Sequence, residues 1–163
     1  MKRLILIPTI IIFVLAGCGI TVSDYDDAVL DGVSHLNTNK PEEALKDFTR
    51  AIEIDPTRAD GFAGRGNVLQ AMGQYEASLQ DYDRAIEINP KLANAYVNRG
   101  SVYSHLGEYE KAIADYEKGL DLDPKIDDPP GIFKRLFSNA PNTDQGIRRH
   151  LESLKQKVKE QSG

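Results

Sequence analysis

The amino-acid sequence predicts an all-α protein, an α-solenoid of three helix-turn-helix repeats closed by a C-terminal capping helix. Three observations lead to this fold class. The central part of the chain repeats with a period of 34 residues. Apolar residues within each unit recur at the spacing of an amphipathic helix, and one further amphipathic segment follows the last unit. With 163 residues, the chain has the length of a single domain.

The repeat is visible as columns of similar residues that lie 34 positions apart. Each column holds prolines, glycines, aspartates, aromatic residues or small residues. The columns are Pro56, Pro90 and Pro124; Gly32, Gly66 and Gly100; Ala44, Ser78 and Ala112; Asp47, Asp81 and Asp115; Phe48, Tyr82 and Tyr116; and Ala51, Ala85 and Gly119. Stacked helical hairpins have periods of this length. The sequence therefore predicts three units, at residues 25–58, 59–92 and 93–126.

Each unit is predicted to contain two helices joined by a tight turn. The first helix ends near Asn37, Met72 or Leu106, and the second ends at the proline of its unit. Gly73 and Gly107 lie between the helices, where a left-handed turn favours a residue without a side chain. The first unit has Asn39 at this place, followed by Pro41 as a helix start.

The second helix of the third unit shows the expected amphipathic pattern. Ala112, Ile113, Tyr116 and Leu120 form one apolar stripe at helical spacing. The remaining polar side chains are expected to face solvent on the opposite side of the helix. They are Glu110, Lys111, Asp115, Glu117 and Lys118.

The repeat ends after the third unit. Residues 127–142 are predicted to be a linker with a short helix near 132–138. Residues 143–160 are predicted to form a longer helix, at whose start Asn142 and Gln145 have the spacing of a capping box. Its apolar side is expected to cover the open end of the solenoid. That side carries Ile147, Leu151, Leu154 and Val158. The alternative is that basic residues of this helix contact anionic lipid headgroups. These are Arg148, Arg149, Lys155, Lys157 and Lys159.

The first 17 residues are predicted to be a signal peptide. Lys2 and Arg3 precede an apolar run over residues 4–16, which is the layout of a secretory signal. The run is shorter than the roughly 20 residues that a membrane-spanning helix needs, and Pro8 weakens it further. Removal of a signal is therefore favoured over a retained transmembrane helix.

The residues Leu15, Ala16, Gly17 and Cys18 resemble the lipobox of bacterial lipoproteins. The resemblance implies cleavage before Cys18, fatty acylation of that residue and membrane anchoring, with residues 18–24 as the lipidated linker. Because Gly19 follows the cysteine, it also implies an outer-membrane location facing the periplasm if the organism is Gram-negative. The alternative is an ordinary secreted protein with a chance cysteine.

The repeats over residues 25–126 resemble the tetratricopeptide repeat. The closest local matches are residues 98–100 (Asn-Arg-Gly) and residues 107–113 (Gly-Glu-Tyr-Glu-Lys-Ala-Ile). Ala28, Ser78 and Gly119 depart from the family pattern, and are expected to weaken packing locally. The resemblance implies a concave groove, lined by the first helices, that binds segments of other proteins.

Carried over from the family, the groove has twelve positions. They are Asp26, Val29, Val33 and Leu36; Asp60, Ala63, Asn67 and Gln70; and Asn94, Val97, Ser101 and Ser104. One end is expected to be apolar and acidic and the other amide-rich and neutral, with Asn67 and Asn94 exposed. None of the twelve is basic, which disfavours a clamp for a terminal carboxylate. The alternative is that these positions are merely compatible with solvent.

Composition and motifs argue against other function classes. Residues 24–126 carry 20 acidic and 11 basic side chains, and nucleic acid requires the opposite balance. The single cysteine, Cys18, permits neither an internal disulfide nor a cysteine-based metal site. His35, His105 and His150 lack metal-ligand spacing and a neighbouring nucleophile. No phosphate-binding glycine loop or isolated carboxylate pair is visible. We therefore expect no enzyme activity, cofactor, metal or small-molecule substrate.

Two functions remain at this stage. The first is a lipid-anchored adaptor that brings proteins of the bacterial cell envelope together. The second is a pilotin-like assembly factor for a secretin or pilus system. In both, the partners are other envelope proteins or peptides and the membrane through Cys18.

Overall fold

A computed structural model describes residues 22–127 and 146–162. This part of the chain contains seven α-helices, a short 3-10 helix at Pro124–Asp127 and no strand, which confirms the all-α prediction. The helices are α1 (Val22–Asn37), α2 (Pro41–Ile54), α3 (Ala59–Ala71), α4 (Tyr75–Ile88), α5 (Ala93–His105), α6 (Tyr109–Leu122) and α7 (Gly146–Gln161). The predicted signal peptide, Cys18, the short helix near 132–138 and the capping box lie outside the described residues. Within the described ranges, no helix is both long and apolar enough to cross a bilayer.

Helices α1 to α6 form three hairpins, one in each predicted unit. The turns contain Asn39, Gly73 and Gly107 with φ of 58°, 75° and 79°, the left-handed conformation that the sequence predicts. A backbone bond across each turn, such as Gln74 N–H to Leu69 O at 2.8 Å, satisfies a carbonyl at the end of the first helix. The first helices end within one residue of the predicted positions, and the second helices end two residues before each proline.

Small residues allow the helices to pack closely around the aromatic column. The ring of Phe48 lies against Gly32 of its own unit and against Gly64 of the next unit. A Cβ atom on Gly32 would lie 2.8 Å from that ring, and one on Gly66 would lie 2.8 Å from the ring of Tyr82. Such contacts are too short for a real side chain, so glycine is required where the aromatic rings approach.

The core is a series of clusters along the solenoid, as expected where each unit contacts only its neighbours. In α6, the apolar stripe is confirmed, since Ala112, Tyr116 and Leu120 are buried. The prediction for Asp115 is wrong, because this residue is only 6% exposed. Its carboxylate accepts bonds of 2.8 and 2.7 Å from Nε and Nη2 of Arg99 on α5, and this pairing compensates its burial.

Helix α7 occupies the place that the first helix of a fourth unit would take. Its Leu151 and Leu154 are 6% and 0% exposed, and belong to the same cluster as Tyr116 and Leu120 of α6. This confirms the predicted capping helix, of which the structure describes Gly146–Gln161. The apolar positions of the last repeat are thereby removed from water, which a solenoid end requires.

Candidate interaction groove

The twelve predicted groove positions lie along α1, α3 and α5, and these first helices contact one another in that order. We call this side of the solenoid the inner groove. Asp26 and Val33 are exposed, Ala63 is buried, and the other nine residues are half-buried. The prediction that Asn67 and Asn94 are exposed is therefore wrong, because neighbouring helices cover part of both side chains.

The N-terminal end of the inner groove is not a bare acidic surface. The guanidinium of Arg58 donates to Asp26 at 2.8 Å and to Asp60 at 3.0 Å, and it lies 3.8 Å from the centroid of the Tyr25 ring. The Tyr25 hydroxyl also donates to Asp60, at 2.8 Å. Burial, reinforced by this bond to a carboxylate, raises the pKa of Tyr25. Sequence reasoning missed Arg58, because it precedes the first helix of its neighbouring unit and is not a family groove position.

Hydrogen bonds join the middle of the inner groove across two units. Asn98 Nδ2 donates to Asn67 Oδ1 at 2.8 Å, and the Tyr82 hydroxyl lies 2.8 Å from both Asn67 Oδ1 and Gln70 Oε1. A phenol has one proton and can donate to only one of these oxygens. The amide group that does not accept this proton must then be rotated by 180°, so that its NH2 group faces the phenol oxygen. If Tyr82 donates to Asn67, the turned Gln70 accepts from Ser101, which lies 3.3 Å away.

This network leaves the NH2 group of Asn67 available for a ligand, since both bonds to Asn67 are made to its oxygen. Tyr82 is 0% and Asn98 1% exposed, and burial raises the pKa of Tyr82 well above its ordinary value, so the phenol remains a neutral donor. Sequence reasoning gave no role to Asn98. In the sequence, Asn98 belongs to a close local match to the tetratricopeptide repeat, and it is polar where the first two units have Leu30 and Gly64.

Two groove residues of the third unit differ in their surroundings. Val97 packs against α6, where a Cβ atom on Gly119 would lie 2.5 Å from its Cγ2, so part of this side chain serves the core. The buried Oδ1 of Asn94 has no hydrogen-bond partner among the described residues. An unpaired buried acceptor is costly, and burial keeps this oxygen out of reach of a ligand in the structure described.

Helix α7 extends the line of first helices and adds His150 to the groove. The Nε2 atom of His150 lies 3.0 Å from Ser104 Oγ, and its ring meets Tyr116 edge-on with centroids 5.5 Å apart. Gln70 and Ser101 make the corresponding contact one unit earlier. Burial, with a smaller contribution from Lys157, lowers the pKa of His150. The sequence pattern could not reveal this residue, because residues 127–145 interrupt the 34-residue register.

Within the part of the chain that the structure describes, the Ser104–His150 contact lacks the third group of a catalytic triad. The Nδ1 atom of His150 has no partner within the described ranges, whereas a serine nucleophile requires a histidine oriented by a third group. His35 bonds Asp47 at 2.6 Å, and the ring of His105 lies 4.4 Å from that of Tyr75. In residues 22–127 and 146–162, no group of three or more potential ligands is placed to hold a metal ion.

Comparison with protein families identifies the repeat. Models described as tetratricopeptide repeat match residues 32–58 and 93–126, and a TPR-repeat model matches residues 66–107. Together these matches cover more than half of the chain. The chain is a tetratricopeptide-repeat protein. No curated protein sequence matches this tetratricopeptide-repeat chain significantly.

Solved structures with this fold come from several kinds of organism. The first TPR domain of Spaghetti (RPAP3), bound to an HSP90 peptide, is 20% identical with a TM-score of 0.69, covering 85% of this chain and 95% of that one. The Sgt2 TPR domain from Aspergillus fumigatus is 22% identical, with a TM-score of 0.68 and coverages of 87% and 83%. The Yersinia enterocolitica translocator chaperone SycD is 23% identical, with a TM-score of 0.67 and coverages of 85% and 89%. At these identities, the comparison shows the shared fold alone.

Proposed function

We propose that this tetratricopeptide-repeat protein is a lipid-anchored adaptor of the bacterial cell envelope, and that its inner groove binds segments of other envelope proteins. The observation that carries the proposal is the groove itself. Three repeats present a row of exposed and half-buried polar and apolar side chains along α1, α3 and α5. The HSP90 peptide bound to the Spaghetti TPR domain supports peptide binding as a use of this fold.

The chemistry of the inner groove favours an uncharged segment. Arg58 already pairs with Asp26 and Asp60, so its positive charge is neutralised within the protein. The NH2 group of Asn67 offers a donor, which suits the carbonyl oxygens of an extended chain. Val33, 37% exposed, offers apolar contact on α1. The ligand is therefore a segment with apolar side chains and a backbone that can pair with amides.

The proposed anchor would hold the groove close to a membrane. Cys18 precedes the first described residue of α1, Val22, by four positions, and four residues reach at most about 14 Å. Several acyl chains on Cys18 would give a stable anchor. With Gly19 after the cysteine, we place the protein on the outer membrane facing the periplasm in a Gram-negative cell. A partner bound in the groove would be kept at that surface.

The second candidate is a pilotin-like assembly factor for a secretin or pilus system. The similarity in fold to SycD, a bacterial type III secretion translocator chaperone, favours keeping it. A pull-down from envelope extract separates the two candidates, since an adaptor would retain envelope enzymes and a pilotin-like factor a secretin or pilus subunit.

The anchor is tested by Cys18→Ser in cells fed a clickable fatty acid. The parent protein is expected to carry the label, and the variant to remain an unlabelled precursor, because the thiol is the acylated group. Circular dichroism should be unchanged, since Cys18 precedes the repeats. Label retained on the variant would refute lipidation at Cys18.

The groove is tested by Asn94→Ala against a captured partner. The buried oxygen of Asn94 has no partner within the described protein, so the truncation should preserve folding, while a ligand bonded to the NH2 group of Asn94 would lose one bond. A lost hydrogen bond of about 0.5–1.5 kcal/mol weakens binding roughly two- to tenfold. Gln80→Ala, at an exposed position of α4, is the matched control. Equal affinities of the two variants would exclude this part of the groove as the binding site.

A further inference from the structure

Helix α1 has one side that the described protein leaves open. In the second and third units, the corresponding side of the first helix is covered by the second helix of the preceding unit, α2 on α3 and α4 on α5. Leu30 is 66% exposed, whereas Gly64 and Asn98, one and two periods later, are buried. We call this side of α1, with Leu30 at its centre, the open face.

The contact of α4 with α5 shows how such a face is covered. Ala85 of α4 and Ala95 of α5 belong to one buried cluster, with exposures of 0% for both. Beside them, Nη1 of Arg99 on α5 donates to Asp83 of α4 at 2.6 Å. The covering helix therefore contributes a small apolar contact and a carboxylate that pairs with the arginine of the covered helix.

On α1, acidic residues stand at the positions of Arg99 and Ala95. Asp31 stands where α5 has Arg99, and Asp27 stands where α5 has Ala95, and both aspartates are exposed. A helix that covered α1 as α4 covers α5 would bring its counterpart of Asp83 towards Asp31. An acidic residue there would be repelled, whereas a lysine or arginine would be attracted.

We propose that the open face of α1 is a second docking surface, which binds an amphipathic helix of a partner protein carrying lysine or arginine opposite Asp31 and Asp27. The helix lies on α1 as α4 lies on α5, with apolar side chains against Leu30. A symmetric pairing of two α1 faces is disfavoured, because it would bring their exposed aspartates together. An anionic bilayer is disfavoured for the same reason. This surface is separate from the inner groove, and does not depend on the function proposed for it.

The test uses a peptide derived from the chain itself. The probe has the sequence of residues 74–90, which contain α4, with Asp83→Lys and a hydrocarbon staple on its outer side to hold the helix. The unchanged sequence with the same staple is the matched control. Binding of both fluorescein-labelled peptides to the full chain is measured by anisotropy. The lysine peptide is expected to bind about fivefold more tightly, as one charge pair on a partly exposed surface allows.

Variants of the full chain locate the site. Asp31→Asn should remove the preference for the lysine peptide, and Leu30→Ser should weaken both peptides. Leu106→Ser and Glu110→Gln, at exposed positions of the third unit, should change neither affinity. All four side chains are exposed, so circular dichroism should show an intact fold.

Three results would overturn the proposal. The first is equal affinity for the two peptides, or no binding of either. The second is a lysine preference that survives Asp31→Asn, because binding would then occur elsewhere on an acidic protein. The third is a dimer in sedimentation experiments that Leu30→Ser dissociates, which would make a second copy the occupant of the open face.

Discussion

Removing one leucine of α7 should release the whole capping helix. Leu154 is 0% exposed and packs with Leu151 against α6, and truncating a buried leucine to alanine costs about 2–5 kcal/mol. An isolated helix of this length is marginally stable in water, so α7 depends on its packing. The ion pair of Lys155 with Glu117 is surface-exposed and contributes at most about 1 kcal/mol. In Leu154→Ala, we therefore expect α7 to detach while the other helices remain folded.

Hydrogen exchange measured by mass spectrometry is the appropriate assay, because it reports each helix separately. Peptides from residues 146–161 should lose most of their protection in Leu154→Ala, and peptides from α1 to α4 should keep theirs. A dye that binds apolar surface should detect the exposed side of α6. Gln156→Ala, at an exposed position of α7, is the control. Unchanged protection of α7 in Leu154→Ala would refute the reasoning that two leucines hold this helix.

Two further predictions concern titratable groups, one on α7 and one in the third unit. The pKa of His150 is lowered in the folded state, so its stabilising contribution is complete above the unfolded value of about 6.5 and is lost as pH falls through the folded pKa. Protection of α7 should therefore fall as the pH is lowered through and below about 6.5. The fall should be smaller in His150→Gln, and an identical pH dependence of the two proteins would contradict this role. Asp115→Asn leaves Arg99 without its best partner and should lower the free energy of unfolding in urea by roughly 1.5–3 kcal/mol. Asp121 is 79% exposed, and Asp121→Asn should change the free energy of unfolding by less than about 0.5 kcal/mol. Equal changes in the two variants would show that the burial of Asp115 does not determine the effect.

The positions taken from the family predict where the inner groove lies, but not which of its residues a ligand can reach. They place twelve residues on one side of the solenoid, as the first helices do in the structure, but they do not say which are available to a ligand. Ala63 is buried, Val97 packs on Gly119, and Asn67 bonds Tyr82 and Asn98. These contacts join residues 15 to 31 positions apart, on different helices. These residues become neighbours when the two helices of a unit pair, as for Val97 and Gly119, or when two units stack, as for Asn67 and Asn98.

The sequence by itself determined the repeat, the six paired helices and their turns. The reason is that each depends on local rules: a 34-residue period, apolar side chains at helical spacing, and residues such as Gly73 that accept a left-handed backbone. The sequence likewise marked α7 as amphipathic.

Only the tertiary structure decided the surroundings of polar side chains. The charges of Asp115 and of Asp26 look solvated in the sequence, but they pair with Arg99 of α5 and with Arg58, which directly precedes α3. His150 joins the groove because α7 docks as a fourth first helix, after a break in the period. Whether a polar group faces water or a partner depends on which helices approach it, and in a solenoid that is set by the stacking of neighbouring units.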